Sequence, residues 1–119
     1  MRASKPEVAK AVIAAVEAQL GAFRAGDLSK AYSYAAATLR RQRPMPAFGT
    51  IVRDSYPEIW ANTRSEHGLV RDDGTNATVL VHVFSKSSNA AYDYVLVKER
   101  GGWRIAGVLR HDSRAVDKV

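Results

Sequence analysis

The sequence predicts a single small α+β domain, with helices packed on an antiparallel sheet. Two observations point to it. In the first half apolar residues recur at three- and four-residue spacing, and in the second half short β-branched and aromatic runs alternate between turn signals. A third concerns size: 119 residues, 46% apolar and 25% charged, suit one folded core with no linker, repeat or low-complexity tract to mark a second domain. Helices first and a meander second is the α+β order.

The first helix is expected from about 6 to 25, where Val8, Val12, Val16, Leu20 and Phe23, joined by Ala9 and Ile13, form one apolar stripe. Ser4 and Glu7 have capping-box spacing at its start, and Pro6 sits in the first turn, where its missing N–H costs nothing. Gly26 can take the left-handed conformation that ends a helix, and Asp27 can cap the next. A second helix is expected from about 28 to 37, with Leu28, Ala31, Tyr32 and Ala35 on one face. A third, about 46 to 56, carries Phe48, Ile51, Val52 and Tyr56 and is closed by Pro57. Residues 58 to 70 have no clear pattern.

Asp72-Asp73-Gly74 is a turn signal, after which strands are expected at about 77 to 84, 90 to 98 and 103 to 111. The simplest registers put Phe84 opposite Ala90 across a loop of residues 85 to 89, and Lys98 opposite Trp103 across Arg100-Gly101, with Tyr94 then facing Gly107. One sheet face then gathers Leu80, His82, Phe84, Tyr92, Tyr94, Leu96, Trp103, Ile105, Leu109 and His111, and should meet the helices. The other gathers Val79, Val81, Val83, Ala91, Asp93, Val95, Val97, Arg104, Ala106, Val108 and Arg110. Because a broad apolar face is poorly left in water, a homodimer through this valine-rich face is expected.

The absence of cysteine excludes disulfides, thiolate ligands and a cysteine nucleophile. No apolar run is long enough to span a bilayer, so a soluble protein is expected, cytoplasmic or exported with its signal peptide removed, and no membrane partner. The net charge of +6 is a mild excess, and its densest group, Arg40, Arg41 and Arg43, has no interleaved aromatic. It reads as a solvated loop, and no nucleic-acid partner is expected.

The run Gln19-Leu20-Gly21-Ala22-Phe23-Arg24-Ala25-Gly26-Asp27-Leu28, continuing to Ala31 and Tyr32, resembles the first helical corner of nuclear-transport-factor-2-like domains. Gly102-Trp103-Arg104-Ile105-Ala106-Gly107-Val108 resembles their last strand, and Phe48, Val52, Tyr56 and Pro57 keep their order between. The similarity is to an uncharacterised bacterial branch of this SnoaL-like, cystatin-like superfamily. It implies three N-terminal helices on a strongly curved antiparallel sheet, a conical cavity and frequent dimerisation. It implies no one activity, because the superfamily holds isomerases, dehydratases, hydrolases and binding domains.

An isomerase of this family needs an acid near the second helix, where this chain reads Thr38-Leu39-Arg40-Arg41. His82, with Tyr92 and Tyr94 beside it in the assumed register, is a candidate ligand contact or general base, against the plainer reading of a hydrogen-bonded core histidine. Asp93 falls on the opposite face in that register, so a His-Asp dyad requires a slip of one residue. Tyr32, Tyr92, Tyr94 and Trp103 can line a pocket or simply fill the core. His67, His82 and the His111-Asp112 pair are scattered, and no phosphate loop, nucleophile elbow or hydride-cofactor fingerprint occurs, so neither metal nor cofactor is expected. The favoured function is a noncatalytic binding or accessory domain taking a small apolar molecule through His82, Tyr92, Tyr94, Tyr32 and Trp103. The alternative is an isomerase, dehydratase or hydrolase acting in the cavity, which an Asp or Glu hydrogen-bonded to a His or Tyr inside it would favour.

Overall fold

The computed structural model describes residues 1–111, so Asp112 of the His111-Asp112 pair lies outside the described residues. A short strand β1 (Arg2–Ala3) precedes the helices α1 (Pro6–Arg24), α2 (Leu28–Ser33), α3 (Ala37–Gln42), α4 (Met45–Ser55) and α5 (Pro57–Trp60). The strands β2 (Asn62–Asp72), β3 (Asn76–Ser85), β4 (Asn89–Glu99) and β5 (Gly102–Arg110) follow, and all five pair antiparallel in sequence order in an open sheet. Among these residues no helix is long and apolar enough to cross a membrane.

The periodicity of α1 has the expected consequence: Val12, Val16, Leu20 and Phe23 are buried in the core. Each such side chain contributes roughly 1.5–3 kcal/mol of apolar burial. Its start differs from expectation, since Lys5 is the N-cap and no side chain caps the helix. Ser4 instead donates its hydroxyl to Asp72 at 2.5 Å, because β1 pairs with the end of β2 and draws the residue to the sheet. At the corner Gly26 adopts φ 71°, the left-handed region, and Asp27 caps α2 by accepting from the Lys30 N–H at 3.0 Å.

The expected second helix is divided in two. Residues 34 to 36 lie along the free edge of β5: Ile105 N–H donates to the Tyr34 carbonyl and Ala36 N–H to the Ile105 carbonyl, both at 2.8 Å. Those bonds satisfy part of an open edge and stop α2 at Ser33. A new helix, α3, then starts under the Glu99 carboxylate, which accepts from the Ala37 N–H at 2.8 Å. Arg40 and Arg41 therefore sit on a helix rather than in a loop, with Arg43 at its C-cap.

The patternless stretch is largely strand β2. Register shifts between Asn62 and Arg64 and between His67 and Val70 interrupt its alternation, which is why a period of two is not visible in the sequence.

The first hairpin differs by one residue from the simplest register. Phe84 pairs with Asn89 across a loop of residues 85 to 88, closed by Ser85 N–H donating to the Ser88 carbonyl at 2.8 Å. One residue of slip turns a whole strand over. Ala77, Val79, Val81 and Val83 consequently point inward with Ala90, Tyr92, Tyr94 and Leu96, while Leu80, His82 and Phe84 lie on the outer face.

The second hairpin pairs Lys98 with Trp103 as expected. A bulge then leaves Ala106 unpaired, so Tyr94 faces Val108 instead of Gly107 and Tyr92 faces Arg110. Val108 and Arg110 join the inner face, and Leu109 and His111 pass to the outer one. Phe23, Phe48, Val52, Trp103 and Ile105 are buried in one cluster, with Leu28 and Tyr32 packed against it.

Candidate functional site

A cavity of about 200 Å³ opens between α1, α3, α4 and the end of β5. Its walls are chiefly Phe23, Phe48, Ile51, Val52, Ile105 and Val108. The Ala106 bulge redirects the strand beside it, and the backbone of Gly107 is part of the wall.

Among the described residues three polar ones line this apolar chamber: Gln19, Arg43 and Tyr56. Gln19 is 3% exposed and donates its amide to the Ala31 carbonyl at 3.1 Å, which fixes its orientation. Tyr56 packs edge-on against Tyr92 at 5.8 Å, and its hydroxyl has no protein partner among the described residues. Arg43 is an exposed residue at the rim. Its backbone is held: its N–H donates to the Leu39 carbonyl at 2.9 Å, and its carbonyl lies 2.6 Å from the Tyr32 hydroxyl, whose single proton it shares with the Arg40 carbonyl at 2.9 Å. No carboxylate among the described residues pairs with its guanidinium.

None of the five side chains singled out from the sequence lines this cavity. Tyr92 and Tyr94 are fully buried beneath the helices, and Trp103 is 6% exposed in the same core. Tyr32 packs against the wall residue Phe48, with ring centroids 5.2 Å apart. His82 is on the outer face as a consequence of the register slip, stacked on Phe84 at 4.6 Å with Nε2 2.9 Å from the Asn89 side-chain oxygen. The same slip brings His82 and Asp93 onto one face. Asp93 pairs there with His111 at 3.0 Å instead, so no His82-Asp93 dyad forms.

Tyr92 belongs to a polar cluster that sequence reasoning missed. Its hydroxyl donates to Glu58 Oε1 at 2.5 Å, Arg110 donates to the same oxygen at 3.0 Å, and Ser88 donates to Oε2 at 2.8 Å. Glu58 is 4% exposed. Burial pushes its carboxyl up, but the hydrogen bonds from Tyr92, Ser88 and Arg110 outweigh burial and bring it down to about 2. Burial, and then the adjoining Glu58 carboxylate, push the Tyr92 phenol well above its ordinary range. An acid one residue after Pro57 reads as a first-turn helix charge, and no local signal marks it as buried.

Glu58 and Tyr92 form an acid–tyrosine pair, yet neither lines the cavity. The carboxylate is saturated by donors and is a poor base at neutral pH. Its role is to clamp α5 onto β4 and β5. Tyr94 is the opposite case: its buried hydroxyl has no partner among the described residues, and burial first, then Tyr92 and Glu17, raises its pKa. Among those residues no group of three or more His, Asp or Glu side chains is placed to hold a metal ion.

Residues 5–117 match the model of a family described as a domain of unknown function, DUF4864. The chain belongs to this family. The match runs through every helix and through β2 to β5, so the cavity and the Glu58 cluster both lie within the DUF4864 domain. A comparison with curated proteins finds no match.

Proposed function

We propose that this DUF4864 domain is a noncatalytic binding or accessory domain that takes a small, mostly apolar molecule into the cavity beneath α4. The observation that carries the reading is the chamber itself: about 200 Å³ of apolar-walled space with Gln19, Arg43 and Tyr56 as its polar lining residues among those described. Binding pockets combine apolar walls with a few such groups. An apolar cavity of about 150 Å³ holds benzene, so this one accommodates a ligand of roughly eight non-hydrogen atoms. The leading helices, sequential antiparallel strands and a cavity between the two layers also support kinship with the cone-shaped nuclear-transport-factor-2-like domains. Acid–base catalysis in the cavity is the weaker reading, because the buried acid–tyrosine pair of Glu58 and Tyr92 does not line it.

The test is an NMR fragment screen on the wild-type chain and on Val108→Phe, which adds a ring to the cavity wall. Amide shifts clustering at Phe48, Val52 and Ile105 in the wild type, and lost in the folded variant, are expected. A screen whose hits fall on the outer sheet face, or that yields none, would overturn the reading.

The same proposal includes a homodimer through the outer sheet face. Its residues differ from those expected, since Val79, Val81 and Val83 are core. What supports a dimer is the exposed apolar surface of Leu80, 40% exposed, and Leu109, 67% exposed, which flank Asp93 on the outer face near half-buried Val95 and Val97.

A further inference from the structure

We propose that the ligand of this cavity is an amphipathic anion, a carboxylate on a short apolar body, whose charged end is held at the rim by Arg43. The inference rests on the binding reading above and adds the chemical class of the ligand.

Four observations converge on it. First, Arg43 lines the same chamber as Phe48, Val52 and Ile105, so a molecule seated against those residues has a cationic residue beside it. Second, the rim position is built. Tyr32 holds the Arg43 carbonyl at 2.6 Å and the Leu39 carbonyl holds its N–H at 2.9 Å, so the backbone that presents the side chain is fixed on both sides of the residue.

Third, the neighbouring charges do not neutralise it. Among the described residues no acid lines the cavity. The acids closest in sequence are engaged elsewhere: Asp54 pairs with Arg53 at 3.0 Å, Glu58 is bound by Tyr92, Ser88 and Arg110, and Asp27 accepts from the Lys30 N–H; Glu99, at the start of α3, accepts from the Ala37 N–H. Arg40 donates to the Ala35 carbonyl and Arg41 lies 3.4 Å from the Thr38 hydroxyl; both contacts are with neutral groups, so these charges add to the positive potential around the rim. The basic segment that looked like a solvated loop in the sequence therefore borders the chamber.

Fourth, Tyr56 lines the same chamber, and its hydroxyl has no protein acceptor among the described residues. A carboxylate accepts from both a guanidinium and a phenol. The chamber is too small for the base and sugar of a nucleotide, which excludes nucleoside phosphates as its occupant. A simple inorganic anion would leave the apolar walls empty.

The test compares hexanoate with hexanamide, which has the same shape and size and no charge, by following amide shifts of the wild-type chain, Arg43→Gln and Arg43→Lys. A ligand of this size is expected to bind in the millimolar range. Hexanoate should bind the wild type about three- to tenfold more tightly than hexanamide, a modest factor because the pair sits at a solvent-screened rim. Arg43→Gln should abolish that preference, with hexanoate binding falling to the level of hexanamide in a variant that melts as the wild type does. Arg43→Lys should keep a reduced preference, since it keeps the charge but not the planar fork. Equal binding of the two probes by the wild type, or a preference that survives Arg43→Gln, would overturn the anion proposal and leave the cavity reading standing. If neither probe perturbs the cavity residues, both fall together.

Discussion

The Glu58 cluster makes the fold acid-sensitive in a calculable way. A carboxyl brought from an ordinary 4.5 to about 2 on folding contributes about 3 kcal/mol at neutral pH. Because the folded value is the lower one, that contribution is complete above the unfolded value and is lost as pH falls towards the folded value. By pH 3, about 2 kcal/mol of it should be gone. Other carboxylates held low, Asp72 and Asp73 among them, also weaken the fold in acid, so the wild-type curve alone does not isolate Glu58. Glu58→Gln does. It keeps an acceptor for the Tyr92 hydroxyl but removes the charge, and Arg110, whose side chain is 52% exposed, can return to water. Urea denaturation should show the variant about 2–3 kcal/mol less stable at neutral pH, within the range for charge-assisted hydrogen bonds to a buried group. The gap to wild type should narrow by about 2 kcal/mol, to about 1 kcal/mol or less, near pH 3. A loss below about 0.5 kcal/mol at neutral pH, or two curves parallel from pH 7 to 3, would refute the clamp.

Tyr94→Phe removes a buried hydroxyl with no partner, so it should leave stability unchanged or raise it by about 1 kcal/mol, readable as a higher melting temperature. A loss above about 1 kcal/mol would mean that the hydroxyl is satisfied in solution. Val81→Glu should abolish folding, because Val81 is fully buried, whereas Val95→Glu on the outer face should fold. In light scattering the wild type should be a dimer and Leu80→Glu with Leu109→Glu a monomer; a wild type that is already monomeric at micromolar concentration removes the dimer.

What the sequence determined by itself was local. The stripe from Val8 to Phe23, the Gly26-Asp27 corner, the α4 face of Phe48 and Val52, and the strand character of β3 to β5 are set by periodicity and turn chemistry, which act over a few residues. The α+β order follows from them. The tertiary structure decided everything that depended on pairing. A loop one residue shorter exchanged the two faces of β3, burying Val81 and exposing His82, because side chains alternate with a period of two. The Ala106 bulge moved Val108 and Arg110 inward. The Ile105 edge broke the second helix at Ser33, and two register shifts hid β2. The candidate site was the least legible part. Arg43, Tyr56, Gln19 and Val108 come from separate elements and share no spacing, so only the packing of α1, α3 and α4 against β5 brings them to one chamber. Glu58 likewise became a buried clamp only when Tyr92, Ser88 and Arg110, distant from it in the chain, supplied the hydrogen bonds that hold its charge out of water.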